Sequence, residues 1–446
     1  MANSAFATRR FRGVSVDTRT IQPGNAFFCL RGANSDGHRF VRAAIAGGAG
    51  AIVAAKDRMP RWRFLDVPVI GVDDPLRALG DLAAEYNRGF ATRTIAVTGS
   101  VGKTTTKELI AASVGAKFPI FKSPGNYNNL IGIPLVLLGR SRRTRSEGGW
   151  GILEFGMSTP GEIGRLTDIV GPSIGVVTRV GVAHLQQMKS QAAIAKAKRE
   201  LFDHASPSLV AVLNVDDPYQ RGWMAHWRRQ TITYASGRDA DITAGSIETS
   251  TEGVHCRVNG RHPFRLRLAG DYNVPNLLAA VAVGRHLGVS WAAMADRIVR
   301  VRPVAHRSRI VHWRGATLIE DCYNANPTSM VAALASLRRW PGPGPRIAVL
   351  GAMRELGHAD ARWYQQVGSH AEGLDMVITV GEETAKYHRS QASNRAQWIH
   401  CRDVSGAIGI LKKHLKRGDV VLLKASHAEH FEEIVPRLRE SIRTRP

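Results

Sequence analysis

A lysine behind two glycines and ahead of a run of threonines is the arrangement in this chain most able to do chemistry: TIAVTGSVGKTTTKE, residues 94–108. The apolar run from Ile95 to Val97 stops at a short glycine loop and restarts as a helical stretch, which is the strand, loop, helix context of a phosphate cradle. In that geometry the backbone N–H groups of Gly99, Ser100, Val101, Gly102 and Lys103 point into one concavity. The following helix turns its positive end toward the same place, and Lys103 reaches the outer phosphates of a nucleoside triphosphate. Thr104 then offers its hydroxyl to magnesium, with Thr105 beside it. The longer phosphate-loop pattern would need glycine where Val97 stands, so this is the shorter G-S-V-G-K-T form. A purely structural turn needs glycine but has no use for Gly-Lys-Thr-Thr behind a buried strand.

Other polar residues fall at the ends of strand-like runs. GILE over 151–154 ends in Glu154, the run 172–178 has His184 just beyond it, and the run 209–214 is followed by Asp216 and Asp217. Strands alternating with helices imply a parallel sheet, and ligands bind outside the carboxyl ends of such strands. Glu154 and His184 are therefore expected to face the crevice of Lys103. A carboxylate there suits magnesium; the plain alternative is an edge residue facing water. The loop 123–132 between these elements carries Asn126, Asn128 and Asn129.

Lys198 is singled out by helical spacing. Over 192–202 its neighbours three and four positions away are Ile194, Ala195, Leu201 and Phe202, whereas Lys196, Arg199, Glu200 and Asp203 form an opposite charged face. Lys198 is thus expected to point inward. A desolvated lysine favours its neutral amine, the form that reacts with carbon dioxide to give a carbamate; the alternative is a stem that snorkels to water.

The chain that must position these groups has 446 residues, 44% hydrophobic and 22% charged, enough for two to three domains each with its own core. No apolar run approaches membrane-span length, and the opening MANSAFATRRFRG lacks the apolar core of a secretory signal, so a cytoplasmic location is expected. Four widely spaced cysteines, Cys29, Cys256, Cys322 and Cys401, suggest neither a zinc site nor a disulfide framework. The net charge of +24 attracts nucleic acid, acidic membranes or anionic substrates without choosing among them. Its one dense cluster, Arg140, Arg142, Arg143 and Arg145, has no interleaved aromatics and is read as a solvated loop rather than a nucleic-acid patch.

In chain order, a short α/β unit comes first. Strands are expected over 14–19, 26–30, 51–54 and 67–72, with helices over 40–46 and 75–86. Its loop RGANSDGHRF gathers Gly32, Asp36, Gly37 and His38 behind a strand, where backbone donors and an imidazole could grip a diphosphate or sugar; a surface turn fits the same residues.

TGSVGKTTTKE, GNYNNLIGIP, LEFGMSTPGEI, VGVAHL, the AKRELF segment, LNVDDP, DCYNANPTSM and AVLGAMRELG together resemble the Mur ligases, in the family's order from about residue 14 to 432. The YNANP form is similar to the branch that joins D-alanyl-D-alanine to UDP-N-acetylmuramoyl-tripeptide. The resemblance implies an α/β protein of three domains: a UDP-sugar-binding unit over 1–92, a central ATPase with a mostly parallel sheet over 93–302, and a Rossmann-like domain over 303–446. It implies ATP, two magnesium ions and a carbamylated Lys198, with metal contacts from Thr104, Glu154, His184 and Lys198. Adenine contacts are implied at Asn273 and Asn276, where Tyr272 replaces the family's histidine. Arg307 is implied to reach the phosphates and Asp321 the ribose, both delivered by domain closure. Substrate contacts are implied at Thr18, Arg19, Gly32, Asp36, Gly37, His38, Asn126, Asn129, Asn324 and Asn326.

The implied reaction is attack of a substrate carboxylate on the γ-phosphate, followed by displacement of phosphate by an amine, in a monomer with no nucleic-acid partner. Two departures bear on the amine: Ala352 stands where the family has aspartate, and LKASH, ending in His427, where it has K-G-S-R. Two other readings stay open, a paralogue using a different amine and a nucleic-acid-binding ATPase.

Overall fold

The computed structural model describes residues 10–32, 35–62, 65–90, 92–140, 148–183, 185–225, 227, 229–356, 361–393 and 396–440. His184, Arg142, Arg143 and Arg145 lie outside them. Three sheets follow one another along the chain, in line with the three units that the resemblance implies.

The first is a four-stranded parallel sheet, Gly13–Ser15, Asn25–Phe28, Ala51–Ala55 and Val69–Val72 in that order. The helix Pro75–Arg88 covers it; Asp74 caps that helix by accepting from the Leu76 and Arg77 N–H groups, and proline fills its first turn.

The second sheet has nine strands. Seven run parallel, from the edge strand Ile120–Lys122 through Trp150–Glu154, Arg93–Thr98, Ile174–Val177, Val210–Asn214 and Thr231–Ala235 to Ile242–Ser250; an antiparallel pair, Gly253–Val258 and His262–Leu266, finishes it. Its inner strands are buried end to end because helices cover both faces. The strand Arg93–Thr98 is where the winding reverses. The next two strands lie on one side of it and the later ones on the other, which opens a crevice at its carboxyl end. Behind it the helix Lys103–Val114 packs on Val274–His286, whose apolar surface is buried nearly all round.

The third sheet pairs Arg309–Trp313 antiparallel with Ala316–Glu320, then adds Val420–Lys424, Arg346–Leu350, Met376–Val380 and Gln397–Cys401 in parallel. All four cysteines are buried thiols. Among the described residues no helix is long and apolar enough to cross a membrane.

Arg140 corrects the solvated-loop reading. It is 6% exposed, its guanidinium lies 4.1 Å from the Phe90 ring centre and 4.0 Å from that of Phe121, and it donates to Asn87 and Thr92. Burial drops its pKa to about 10. It ties the first unit to the second by cation–π contact and hydrogen bonds rather than facing water.

Candidate functional site

The crevice holds a cavity of about 460 Å³, walled on one side by the phosphate loop and on the other by the third sheet. Both loop glycines are forced by close approach. A Cβ on Gly99 would lie 1.8 Å from the Thr178 hydroxyl, and one on Gly102, at φ +81°, 2.3 Å from the Asn276 side-chain oxygen. The loop is pinned from below: the Ser100 N–H donates to the Arg179 carbonyl (2.7 Å), its hydroxyl to the Gly181 carbonyl (2.8 Å), and the Thr178 hydroxyl to the Val101 carbonyl (2.6 Å). Ser100, Val101, Gly102, Lys103, Thr104 and Thr105 all line the cavity, with Lys103 Nζ donating to the Gly99 carbonyl at 2.8 Å.

Glu154 ends its strand in the same wall. Its side chain is buried; Oε1 accepts from Asn128 Nδ2 at 2.9 Å, whereas Oε2 is buried without a hydrogen-bond partner. An unsatisfied buried carboxylate oxygen is costly unless something occupies it, and a hard cation shared with the Thr104 hydroxyl fits both the donor set and the place. Asn126 and Asn129 line the cavity too, although Asn129 Oδ1 is already accepting from the Ile131 and Gly132 N–H groups.

Asn273 and Asn276 are buried and linked. Asn276 Nδ2 donates to Asn273 Oδ1 (3.0 Å), Asn273 Nδ2 to the Ala269 carbonyl (2.8 Å), and the Thr106 hydroxyl to Asn276 Oδ1 (3.1 Å). They brace the phosphate-loop helix while lining the cavity. Lys198 is 2% exposed on the helix Gln191–Asp203, whose other buried residues include Ile194, Ala195, Leu201 and Phe202, so it does point inward. On the opposite face Arg199 pairs with Asp203 in the open, but Glu200 is not a plain solvent charge. Its carboxylate accepts from the Gly161 and Gly164 N–H groups and caps the neighbouring helix.

The third sheet completes the site. Asp321 Oδ1 accepts from the Ser308 N–H (3.1 Å) and its Oδ2 pairs with buried Lys424 (2.7 Å). The Arg307 guanidinium lies 3.9 Å from the Tyr323 ring centre, and its Nε is buried without a hydrogen-bond partner. Asn324 and Asn326 line the cavity, Asn326 also forming a capping box with Ser329 at the helix Pro327–Arg338.

The two walls are joined directly. Tyr272 hydrogen-bonds Ser308 at 3.0 Å, the Val182 N–H donates to the Thr328 hydroxyl at 2.9 Å, and Asp271 pairs with Arg339. Tyr272 thus replaces a histidine with a phenol that bridges the walls, and its burial holds that phenol far above its usual pKa. Lys424 and Tyr323 were not singled out from sequence. Lys424 ends the apolar run VVLLK as Glu154 ends GILE, so the same strand-end signal marks it.

The expected contacts of the first unit sit elsewhere. Asp17 and Arg19 pair with each other in the open, hydrogen bonding from Arg19 drawing the Asp17 pKa down to about 2, with Thr18 between them. Asp36 accepts from both the His38 N–H and the His38 ring, whose other nitrogen accepts from the Ala55 N–H at 3.1 Å. Both ring nitrogens of His38 are therefore engaged inside the protein. Gly37 is required because a Cβ would strike the Leu30 backbone at 2.8 Å, and the Gly32 N–H closes a turn on the Ser35 carbonyl.

Farther along the same carboxyl end of the third sheet, beyond the strands Arg346–Leu350 and Met376–Val380, Ala352 lines a separate cavity of about 250 Å³ with Arg354, Gly381, Glu382, Glu383 and Glu429. Arg354 pairs there with Glu383 and Glu429. His427, two-thirds exposed, lies parallel to Tyr323 with ring centres 6.0 Å apart.

A phosphate loop faced across a cleft by a basic and acidic pair from another sheet defines an enzyme that works on a nucleoside triphosphate between domains. The chain matches the Mur ligase family catalytic domain over 10–87, the Mur ligase middle domain over 97–284 and the Mur ligase glutamate ligase domain over 306–427. It is 33% identical over 99% of its length to the UDP-N-acetylmuramoyl-tripeptide–D-alanyl-D-alanine ligase of Bacillus subtilis, covering 96% of that protein, and 35% identical over 98% of its length to that of Treponema pallidum, covering 95%. Among solved structures it resembles MurF of Acinetobacter baumannii (TM-score 0.86, 27% identity, 97% and 94% of the two chains) and the MurF ligase of Thermotoga maritima in complex with ADP (0.84, 28%, 98% and 99%). The chain belongs to the Mur ligase family.

Proposed function

We propose that this enzyme uses ATP to join D-alanyl-D-alanine to UDP-N-acetylmuramoyl-tripeptide, a cytoplasmic step in building the peptidoglycan precursor, and that it works as a monomer. The observation that carries the reading is the cleft itself, in which a phosphate loop, an unsatisfied Glu154 oxygen and the Arg307–Asp321 pair face one another within a chain similar along nearly its whole length to ligases of that name. We place the domain joints near residues 92 and 303, between the matched family segments.

A peptide carboxylate is a poor electrophile. In the proposed reaction its oxygen attacks the γ-phosphorus of ATP, the bond to the β,γ-bridging oxygen breaks, and ADP leaves an acyl phosphate. The amine of the dipeptide then attacks the acyl carbon, loses a proton and expels phosphate. Attack of one anion on another needs concentrated positive charge, which Lys103 and Arg307 supply from opposite walls. Thr104 and Glu154 are suited to one magnesium ion; His184 and a carbamylated Lys198 are assigned to a second. Magnesium would neutralise the phosphates and orient the γ-phosphoryl group. For Lys198 the support is its burial, 2% exposed, on the inward face of the helix Gln191–Asp203. The asparagines and Asp321 hold the nucleoside, while the loops carrying Thr18, Arg19 and 32–38 receive the UDP end.

A second reading, a different amine, is favoured by Ala352 and by exposed His427 in the third domain. Phosphate release measured over a panel of dipeptides and amino acids, with UDP-N-acetylmuramoyl-tripeptide constant, separates the two. Release fastest with D-alanyl-D-alanine supports the proposal, preference for another amine supports the second reading, and stimulation by DNA or RNA would sink both.

A further inference from the structure

The segments that present Arg307 and Asp321 to the nucleotide carry a second set of groups. Arg307, Asp321 and Tyr323 line the cleft, while the interleaved His306, Glu320 and Cys322 converge elsewhere, with one potential ligand atom from each lying within 4.8 Å of the others. His306 Nδ1 and Glu320 Oε1 are 3.1 Å apart, close to the roughly 3.3 Å that separates two ligands about 2.0 Å from a tetrahedral ion. The Glu320 side chain is fully buried, Cys322 is 1% exposed, and the His306 side chain is 30% exposed, which gives an entry path from solvent.

We propose that His306, Glu320 and Cys322 bind one divalent cation of the zinc class, distinct from the nucleotide's magnesium. Imidazole, thiolate and carboxylate together suit zinc or cobalt, and a sulfur ligand disfavours magnesium, whose preference is for oxygen. Water takes the fourth position.

The surroundings are prepared for a cation. Arg309 Nε donates to Glu320 Oε2 at 2.6 Å and so holds Oε1 toward His306, as an outer partner orients a ligating carboxylate. Burial first, then the carboxylates of Glu320, Asp321 and Glu432, keep the thiol neutral when no cation is present, with Lys424 opposing. The same negative groups favour a bound dication, and Glu432 Oε2 is itself buried without a hydrogen-bond partner. On binding, the S–H bond breaks, sulfur bonds to the metal and the proton goes to solvent. The backbone is held in place for this: the Tyr323 N–H donates to the His306 carbonyl, and His306 itself sits at φ +60°, an uncommon conformation for a residue other than glycine. Because each ligand is a chain neighbour of Arg307 or Asp321, occupancy would change how firmly those two are presented to ATP.

The test is cobalt titration of the full chain, freed of metals by chelation, in excess magnesium. The expected result is a near-ultraviolet thiolate-to-cobalt absorption that saturates at about one equivalent and is displaced by zinc. Cys322→Ser abolishes that band, and His306→Asn, which tolerates the same backbone conformation, weakens affinity by at least the roughly 10–100-fold that loss of an outer partner of a ligand costs. Lys103→Ala retains the band, separating this site from the phosphate loop. Absence of the band in the wild type, or an unchanged band in Cys322→Ser, overturns the proposal. Should Cys322→Ser fail to fold, undiminished affinity in His306→Asn overturns it alone. The binding result does not depend on the ligase reading. Only the accompanying change in KM for ATP does.

Discussion

Two loops of this protein look alike in composition and differ in what they leave available. The loop at 99–103 and the loop at 31–38 both follow a buried strand, and each holds at least one glycine, Gly99 and Gly102 in the first and Gly37 in the second, whose place a Cβ would not fit. In the second, Asp36 and His38 satisfy each other and the Ala55 N–H, so the polarity of those two side chains is spent inside the protein. The phosphate loop turns its polar groups toward an open cavity beside a carboxylate oxygen that has no partner. Polar residues at a strand end thus mark a reactive site when the fold withholds their partners, and a brace when it supplies them.

The comparison breaks most visibly at Lys103. Lys103→Ala is expected to lower ligation about 10³-fold with the melting temperature nearly unchanged, since glycines and backbone donors shape the loop. Steady-state kinetics beside a thermal melt checks both halves.

The opposite wall should matter almost as much. Arg307→Ala is expected to cost about 10²-fold in kcat, on the proposal that its guanidinium acts where charge develops. A loss seen only in the UDP substrate's KM would place Arg307 outside the phosphate site. Lys198→Ala is expected to lose most activity, with partial return on adding acetate, whereas Arg199→Ala on the exposed face changes little. Equal turnover of Lys198→Ala and wild type would make the inward lysine structural.

The smallest catalytic effect is expected from the spent loop. His38→Ala should destabilise the first unit by about 1–3 kcal/mol, from two lost partners of a buried ring, and raise KM for the UDP substrate more than it lowers kcat. Denaturant unfolding followed in that domain measures the first; a large kcat defect would show that His38 reaches the reaction after all.

What sequence reading captured and missed follows the same division. The alternation of strands and helices and the phosphate loop are written locally, in runs such as TIAVTGSVGKT, where period and glycine spacing suffice, whereas the division into three domains came from the family resemblance. Lys198 was legible because its apolar neighbours recur at helical spacing. Arg140 was not, since the two rings that bury it, Phe90 and Phe121, come from distant positions and nothing in its own arginine-rich stretch announces them. Tyr272 could be recognised as a departure, but its bond to Ser308 belongs to the joining of two domains. For the same reason the pairing of Lys424 with Asp321, 103 residues apart, is invisible to periodicity.

The central claim, that both walls of the cleft serve one ATP-driven ligation, is tested most directly by following phosphate release with each substrate omitted in turn. The account predicts rapid release only when ATP, magnesium, UDP-N-acetylmuramoyl-tripeptide and D-alanyl-D-alanine are all present, with one amide formed per phosphate. Release at the full rate without the UDP substrate, or without any amine, would contradict it.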